Sequence, residues 1–361
     1  MEEKMYLIWL SEHKGISLDK KYHLLGYFGS AKEIYQSKKR DLVNSKILTS
    51  EQVESIEHKI VVDEKILESY KGSNVGVIDF RDNDYPEFLS QIYLPPMVLY
   101  YKGTCNTKMF KKTFGIVGAR NATFSGKLNT EKIAADLASS GITVVSGLAK
   151  GIDAAAHKGA LASGGITTAV LGSGVDICYP RENMKIYESI IRDGGCIFSE
   201  FPMGTPPLPM NFPRRNRIIS GISIGLMVAE AEVKSGSLIS AGFALEQGRE
   251  VYALPGDINR KNSLGTNLLI RDGAKMVLKS SDIIEDIVPM FDTRQMKQDK
   301  NNVDIDEKEN EIMDLVRKGW DTVEMIGEKS DFSLSEINYI LTKLEIKQII
   351  TINRGRCHIL V

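Results

Sequence analysis

The sequence predicts an α/β fold built on a doubly wound sheet, flanked by a small helical module and a C-terminal winged helix. Three observations carry that expectation. Strand-like and helix-like patterns alternate from Phe114 to about Ile287, as in a parallel sheet with helices on both sides. The strand patterns are continuous apolar runs, which is how strands buried on both faces read. Four strand ends carry glycine with small polar residues, as tight strand-to-helix turns require.

Residues from Met5 to about Tyr70 read as helical. Leu7, Ile8 and Leu10, then Leu24, Leu25 and Phe28, then Ile34 and Tyr35 supply apolar positions, punctuated by Gly15, Gly26 and Gly29. A helix ends at Gly29 and Ser30 caps the next. Such a module serves either as a packing or interaction domain or as a DNA-binding hairpin. Residues 75–80 and 97–101 are strand-like. Between them, Asp84-Tyr85-Pro86 and Pro95-Pro96 force turns or extended chain.

Within the alternating segment, strands are expected at 114–118, 142–145, 166–171, 196–198, 224–229 and 251–254. Helices are expected at 127–140, 152–163 and 238–248. Residues 291–306 are polar and charged and read as a linker. Ile312, Leu315 and Val316 then mark a helix, and Val323 and Ile326 a second. Ser333 with Glu336 resembles an N-cap before a third, carrying Ile337, Ile340, Leu341 and Leu344. Residues 349–361 read as two strands around a glycine turn, completing a winged helix. The expected organisation is a helical domain at 1–70, an α/β core at 71–290, the linker, and a winged helix at 307–361.

Of 361 residues, 42% are hydrophobic and 26% charged, which is ample for a large core and excludes disorder as the main state. Lys plus Arg number 46 against 47 Asp plus Glu, a formal charge of -1. A nucleic-acid partner must therefore meet a local basic patch rather than a whole-protein field. Cys105, Cys178, Cys196 and Cys357 form no CxxC pair. Neither a zinc ribbon nor a redox motif nor a disulfide scaffold is expected. The first residues lack the apolar run of a signal peptide. No run of about 18 apolar residues suggests a membrane span, so the expected location is cytoplasmic.

The glycine-bearing strand ends are 118–123, 146–153, 171–176 and 234–237. A doubly wound fold gathers such ends on one side of the sheet, where ligands bind. The N–H groups of the following helix starts can hold anionic oxygen. Three of the four carry a cation (Arg120, Lys150 and Lys234), which points to a phosphate-binding surface; the alternative is tight turns only. No GxGxxG with a ribose-binding acid and no GxxxxGK[ST] occurs, which disfavours dinucleotide binding and P-loop hydrolysis.

Residues 211–221 place Arg214, Arg215 and Arg217 within four positions, beside Phe212, Asn216 and Ser220. Arginine forks grip phosphates bidentately, and Phe212 can stack on a base. Arg215, Arg217 and Lys150 could hold successive phosphates. The alternative is a solvated basic turn or an internal salt-bridge cluster. His157 is a candidate base without a Ser or Cys nucleophile motif, and reads as packing an Ala-rich helix. Asp153, Asp176 and Glu200 are not spaced as a metal site. Asp153 reads as a first-turn acid at a helix start. No catalytic constellation, metal or cofactor is expected.

The strings Gly118-Ala119-Arg120, Ser146 to Asp153, Gly172 to Asp176, Tyr179-Pro180, Ser199 to Pro202, Phe212 to Gly221, Ser235 to Leu238, Leu254-Pro255-Gly256 and Gly265-Thr266-Asn267 occur in this order. Together they resemble the DprA/Smf family of DNA-processing proteins. The N-terminal helices resemble its SAM-like or helix-hairpin-helix module, and the winged helix an appendage of many members. The resemblance implies an extended Rossmann-like fold that binds single-stranded DNA without a nucleotide cofactor. It further implies a homodimer that loads the recombinase RecA onto incoming strands during natural transformation. The DNA-facing set it implies comprises Gly118, Arg120, Ser146, Gly147, Lys150, Gly172, Ser173, Gly174, Phe212, Arg214, Arg215, Asn216, Arg217, Ser220, Gly236 and Ser237. Arg120 and Lys150 would contact phosphates, and 172–174 would form a backbone cradle. Lys150 stands where the family often has arginine, which keeps the charge but loses bidentate geometry.

Leu268, Leu269 and Ile270, with Met276, Val277, Leu278 and Ile283, are apolar beyond what one amphipathic face needs. They mark an expected dimer interface, unless they only pack the end of the sheet. Two other functions compete with a non-enzymatic mediator. A phosphoribohydrolase-like nucleotide enzyme would carry PGGxGTxxE, and residues 235–241 lack its acid. A winged-helix regulator would read duplex DNA through the helix from Ser333, which offers only Lys343 and Lys347.

Overall fold

The computed structural model describes residues 2–57, 62, 65–289, 306–317, 320, 322–346, 350–353 and 356–359. The expected linker, 291–306, lies outside the described residues except for Asp306. The chain forms two compact units, Met1–Ile287 and Val288–Val361.

The first unit opens with helices α1 (Glu2–Glu12), α2 (Leu18–Phe28), α3 (Ala31–Gln36), α4 (Lys39–Asn44), α5 (Ser50–Glu57) and α6 (Lys65–Gly72). Local hydrogen bonds set their limits. Gly29 ends α2 with φ at 87°, a conformation glycine adopts without steric cost. Ser30 then caps α3 by accepting from the Glu33 N–H at 3.1 Å. Leu7, Ile8, Leu10 and Leu24 share one buried apolar cluster with Val98, Tyr100, Leu171 and Ile197 of the sheet. Tyr70 and Tyr100 stack with ring centres 4.9 Å apart, and both hydroxyls donate to Glu12 Oε1 at 2.6 Å. The helical segment and the sheet thus share a core.

The strands are β1 (Gly76–Asp79), β2 (Val98–Gly103), β3 (Thr113–Val117), β4 (Thr143–Ser146), β5 (Thr167–Leu171), β6 (Cys196–Ser199), β7 (Gly225–Val228), β8 (Glu250–Ala253) and β9 (Lys275–Met276). They form one nine-stranded sheet in the order β1-β2-β6-β5-β4-β3-β7-β8-β9. All pairings from β6 to β9 are parallel. β2 joins β6, and β1 joins β2, antiparallel. The helices between are α7 (Glu87–Ser90), α8 (Thr107–Phe110), α9 (Phe124–Ser139), α10 (Ile152–Ala162), α11 (Met184–Arg192), α12 (Asn211–Ile222), α13 (Gly236–Glu246) and α14 (Lys261–Arg271), followed by α15 (281–289). Strands β3 to β7 are buried along their whole length, which explains their unalternating apolar sequences. The doubly wound, mixed α/β sheet expected from the sequence is present. No helix among the described residues is long and apolar enough to cross a membrane.

The second unit contains α16 (Glu307–Arg317), α17 (Val323–Gly327), α18 (Leu334–Ile346) and an antiparallel hairpin of β10 (Ile350–Asn353) and β11 (Arg356–Ile359). Ile312, Val316, Ile326, Ile337 and Leu341 build its core. Ser333 and Glu336 cap α18 reciprocally: the Glu336 N–H donates to Ser333 Oγ at 3.3 Å, and the Ser333 N–H to Glu336 Oε2 at 3.0 Å. Lys343 lies 2.9 Å from Asp306 and 3.1 Å from Glu309. These carboxylates hold its pKa up at about 12 and neutralise the charge a recognition helix would need. Lys347 lies outside the described residues.

Candidate nucleic-acid interface

Strand order reverses beside β3. The chain runs outward through β4, β5 and β6, then returns to lay β7 on the other side of β3. The crevice at such a reversal, beyond the carboxyl ends of the strands, is where doubly wound sheets bind ligands. A cavity of about 420 Å³ opens there, its lining including Gly118, Arg120, Phe212, Asn216, Gly236 and Ser237.

The loops around it are latched by their own polar groups. The Ala119 N–H donates to Glu230 O at 2.7 Å. The Glu230 carboxylate, itself buried, accepts from the Thr123 N–H at 2.9 Å and from the Thr123 hydroxyl. Glu230 thereby ties the loop after β3 to the loop after β7. Gly151 takes φ of 76°, and a Cβ there would lie 2.3 Å from Ala119 O, so only glycine lets α10 begin this close to the first loop. Asp153, in the first turn of α10, accepts from the Gly147 and Ala149 N–H groups at 3.2 and 3.4 Å. It latches the loop before its helix rather than the helix start itself.

On this scaffold stand an exposed cation and two aromatic rings. The Arg120 guanidinium carbon lies 5.3 Å from the centre of the Phe212 ring. Tyr179 follows at 5.8 Å from Phe212, tilted by 39°, and is 45% exposed. The start of α13 opens beside them. Ser235 caps that helix, and a Cβ on exposed Gly236 would meet nothing within 4 Å. An open helix start favours anionic oxygen, and ring faces favour bases.

Arg215 parts from the other two arginines of α12, because residues one and two apart point about 100° and 200° apart around a helix, whereas Arg214 and Arg217, three apart, lie on neighbouring sides. Arg214 is exposed, its guanidinium carbon 5.4 Å from the Phe201 ring centre. Arg215 is only 4% exposed and donates to Gly147 O at 2.7 Å and to Val170 O, bridging the ends of β4 and β5. Burial lowers its pKa to about 10, so it stays charged at neutral pH. The same burial raises the pKa of Asp153, and the Arg215 charge opposes that rise. Arg217 is ion-paired to Glu200 and donates to Leu94 O at 2.9 Å. Lys150 is exposed and paired with Glu182. The structure therefore does not line up Arg215, Arg217 and Lys150 as free cations. Of the alternatives, the internal cluster describes Arg215 and Arg217.

Several expected contact residues lie inside the fold. Ser146 donates to Ile116 O at 2.6 Å, and Ser173 to Ile177 O at 2.9 Å. The Gly174 N–H donates to Thr205 O at 2.9 Å, so it is not free for the expected backbone cradle. Gly172 is buried, and a Cβ there would lie 2.9 Å from the Phe212 ring, so glycine lets that ring rest on the backbone. Gly147 faces the Arg215 guanidinium, which leaves no room for a Cβ. Ser220 bonds within α12, and Ser237 lies 2.7 Å from Ser235 Oγ. Asn216 donates to Gly236 O at 3.3 Å. Gly118 is half-buried at the cleft. Among the residues expected at a dimer interface, Leu268, Leu269 and Ile270 are half-buried, and Ile283 is wholly buried, so Ile283 offers a partner no surface. Met276 and Leu278 are exposed.

Neither Glu230 nor Tyr179 is among the contact residues expected from the sequence, although Tyr179-Pro180 is one of the strings that carry the resemblance. Glu230 does follow an apolar strand at its carboxyl end, where doubly wound folds place polar function.

His157 is fully buried, with Nδ1 2.7 Å from Thr167 Oγ1. Burial first, then the Arg215 charge, pushes its pKa down to about 3. The unfolded chain takes up a proton near pH 6.5 and the native chain does not, so stability falls as pH drops below 6.5. Between pH 7 and 5 this costs about 2 kcal/mol. His157→Gln is expected to remove that part of the acid sensitivity, read by denaturant unfolding at both pH values. Equal losses in both proteins would clear His157.

Comparison with known proteins then decides the family. A model described as DNA recombination-mediator protein A matches residues 76–288. The chain belongs to that family. It is 44% identical over 203 residues to the DNA processing protein DprA of Streptococcus pneumoniae, covering 56% of this chain and 71% of that one. Protein Smf of Escherichia coli is 43% identical over 203 residues, which is 56% of this chain and only 54% of the relative's length. The X-ray structure of Streptococcus pneumoniae DprA superposes with a TM-score of 0.67 at 35% identity, covering 78% of this chain and 97% of that one. A Helicobacter pylori DprA structure, reported for its single-stranded DNA binding mode, superposes with a TM-score of 0.53 at 29% identity, covering 60% of this chain and 96% of that one. The match to the mediator family covers the whole sheet and its crevice.

Proposed function

We propose that this recombination mediator binds single-stranded DNA across the crevice beside β3. The observation that carries the reading is the exposed Arg120 guanidinium set against Phe212 at the mouth of the cleft. Phosphates meet Arg120 and the start of α13, and bases stack on Phe212 and Tyr179. Arg215, Asp153 and Glu230 hold the loops in place beneath. Fluorescence anisotropy with an oligo-dT and with a duplex tests this. Micromolar or tighter binding of the oligo-dT, weakening steeply with salt, is expected. Preference for the duplex would move the site to the second unit, which we read as a winged helix.

We further propose the finer steps that the family resemblance implies. The bound strand is handed to RecA recombinase during DNA uptake, and RecA filament growth on the bound strand measures that step. The chain acts as a cytoplasmic homodimer through the β9 edge, where Met276 is 51% and Leu278 71% exposed, beside Leu268, Leu269 and Ile270. Light scattering at micromolar concentration checks the dimer, with Leu278→Arg as the probe. A wild type that stays monomeric would sink it.

A further inference from the structure

Lys150 follows Ala149, which lines the crevice, and Glu182 lies shortly after Tyr179, which lines it too. The two side chains meet as an ion pair at the surface, each 52% exposed. Contacts on both sides fix the backbones that carry them. Asn183, itself buried, donates from Nδ2 to Leu148 O at 2.9 Å and to Ala149 O at 3.2 Å. The turn bearing Glu182 is therefore docked on the loop bearing Lys150. That loop is in turn pressed against the loop of Arg120: the Ile152 N–H donates to Ala119 O at 3.2 Å, and a Cβ on Gly151 would lie 2.5 Å from Arg120 O. Two cations thus stand on touching loops at the crevice. Arg120 is exposed over Phe212, and Lys150 is covered by a carboxylate.

We propose that Glu182 is a built-in competitor of DNA phosphate at Lys150, displaced by the strand as it binds and restored as it leaves. This rests on the crevice as the strand site. An ion pair so exposed is weakly held, so another anion can take the carboxylate's place. A strand held at Arg120 presents its next phosphate to Lys150 at high effective concentration. Asn183 keeps the turn docked, so the exchange needs only the two exposed side chains to move. When the phosphate lifts away, Glu182 recovers Lys150 and the cation is never left bare. The carboxylate thereby lowers the affinity of the site and speeds release, as suits a protein that passes its strand on.

Anisotropy titrations of the whole chain with oligo-dT test this in wild type, Glu182→Gln, Lys150→Ala and the double variant. Glu182→Gln removes only the charge of an exposed side chain, so its unfolding midpoint should match wild type. It should bind ~5-fold tighter in about 50 mM salt and ~2-fold tighter in about 200 mM, because one freed cation steepens the log–log slope by about 0.7. A chase with unlabelled oligo-dT should show the gain mainly as slower dissociation. Lys150→Ala should bind more weakly than wild type. In that background Glu182→Gln should gain less than half as many fold, since only repulsion between Glu182 and the strand is left to relieve. Unchanged affinity and slope in Glu182→Gln, or an equal gain with and without Lys150, overturns the proposal. If Arg120→Ala weakens binding while Glu182→Gln changes nothing, the crevice stands and this inference alone falls. A wild type that does not bind oligo-dT takes both down.

Discussion

Arg215→Ala is expected to destabilise the first unit by about 3–5 kcal/mol, the range for breaking a buried charge cluster from one side. The guanidinium lies under the carboxyl ends of β4 and β5 and donates to Gly147 O and Val170 O. Asp153 shares that burial, and Arg215 is the first counter-charge opposing the rise of its pKa. Removing Arg215 leaves two buried carbonyls and a buried carboxylate without their cation, and opens a void. Asp153 also holds the Gly147 and Ala149 N–H groups, so the loop bearing Lys150 should loosen with it. Denaturant unfolding at neutral pH measures the loss. A variant within about 1 kcal/mol of wild type would place Arg215 outside the structural core. Changing Arg215 and Arg217 together, as a plain reading of the basic cluster invites, would confuse folding with binding.

That cluster shows where the sequence stops being informative. Three arginines within four positions announce charge density. Which arginine faces out depends on how α12 is rolled against β4 and β5. That roll is set by Ile218, Ile219 and Ile222 packing into the sheet cluster, contacts with partners far away in the chain. The glycine-rich turns were legible because their chemistry is local: glycine marks close approach wherever it falls. The use of their N–H groups was not, because the Gly174 N–H is taken by Thr205, which belongs to a different loop. Strands β3 to β8 could be read from continuous apolar runs. Helix α14 was hidden, since its middle, Gly265-Thr266-Asn267, consists of poor helix formers. Its apolar end, 268–270, read instead as surplus surface. Ile283 was misplaced for a similar reason: apolarity alone does not tell a core face from an interface, and α15 buries it within the protomer.

The binding surface itself should respond most strongly at Phe212. Phe212→Ala is expected to weaken oligo-dT binding by about 1–3 kcal/mol, the worth of one base stacked on an aromatic ring. Phe212→Tyr should restore most of it, because the ring face is kept. Arg120→Ala should act differently: it removes a phosphate contact, so the log–log salt slope should shrink by about 0.7 as affinity falls. The two effects should not add. Arg120 rests 5.3 Å from the ring centre, a geometry that both orients the guanidinium and places it for a cation–π contact worth about 0.5–2 kcal/mol. Without the ring, Arg120 loses its support, so the double variant should lose less than the sum of the singles. Anisotropy titrations of the four proteins over a range of salt supply every term. Additive losses would separate Arg120 from Phe212, and an unchanged affinity in Phe212→Ala would take the crevice mouth out of the DNA path.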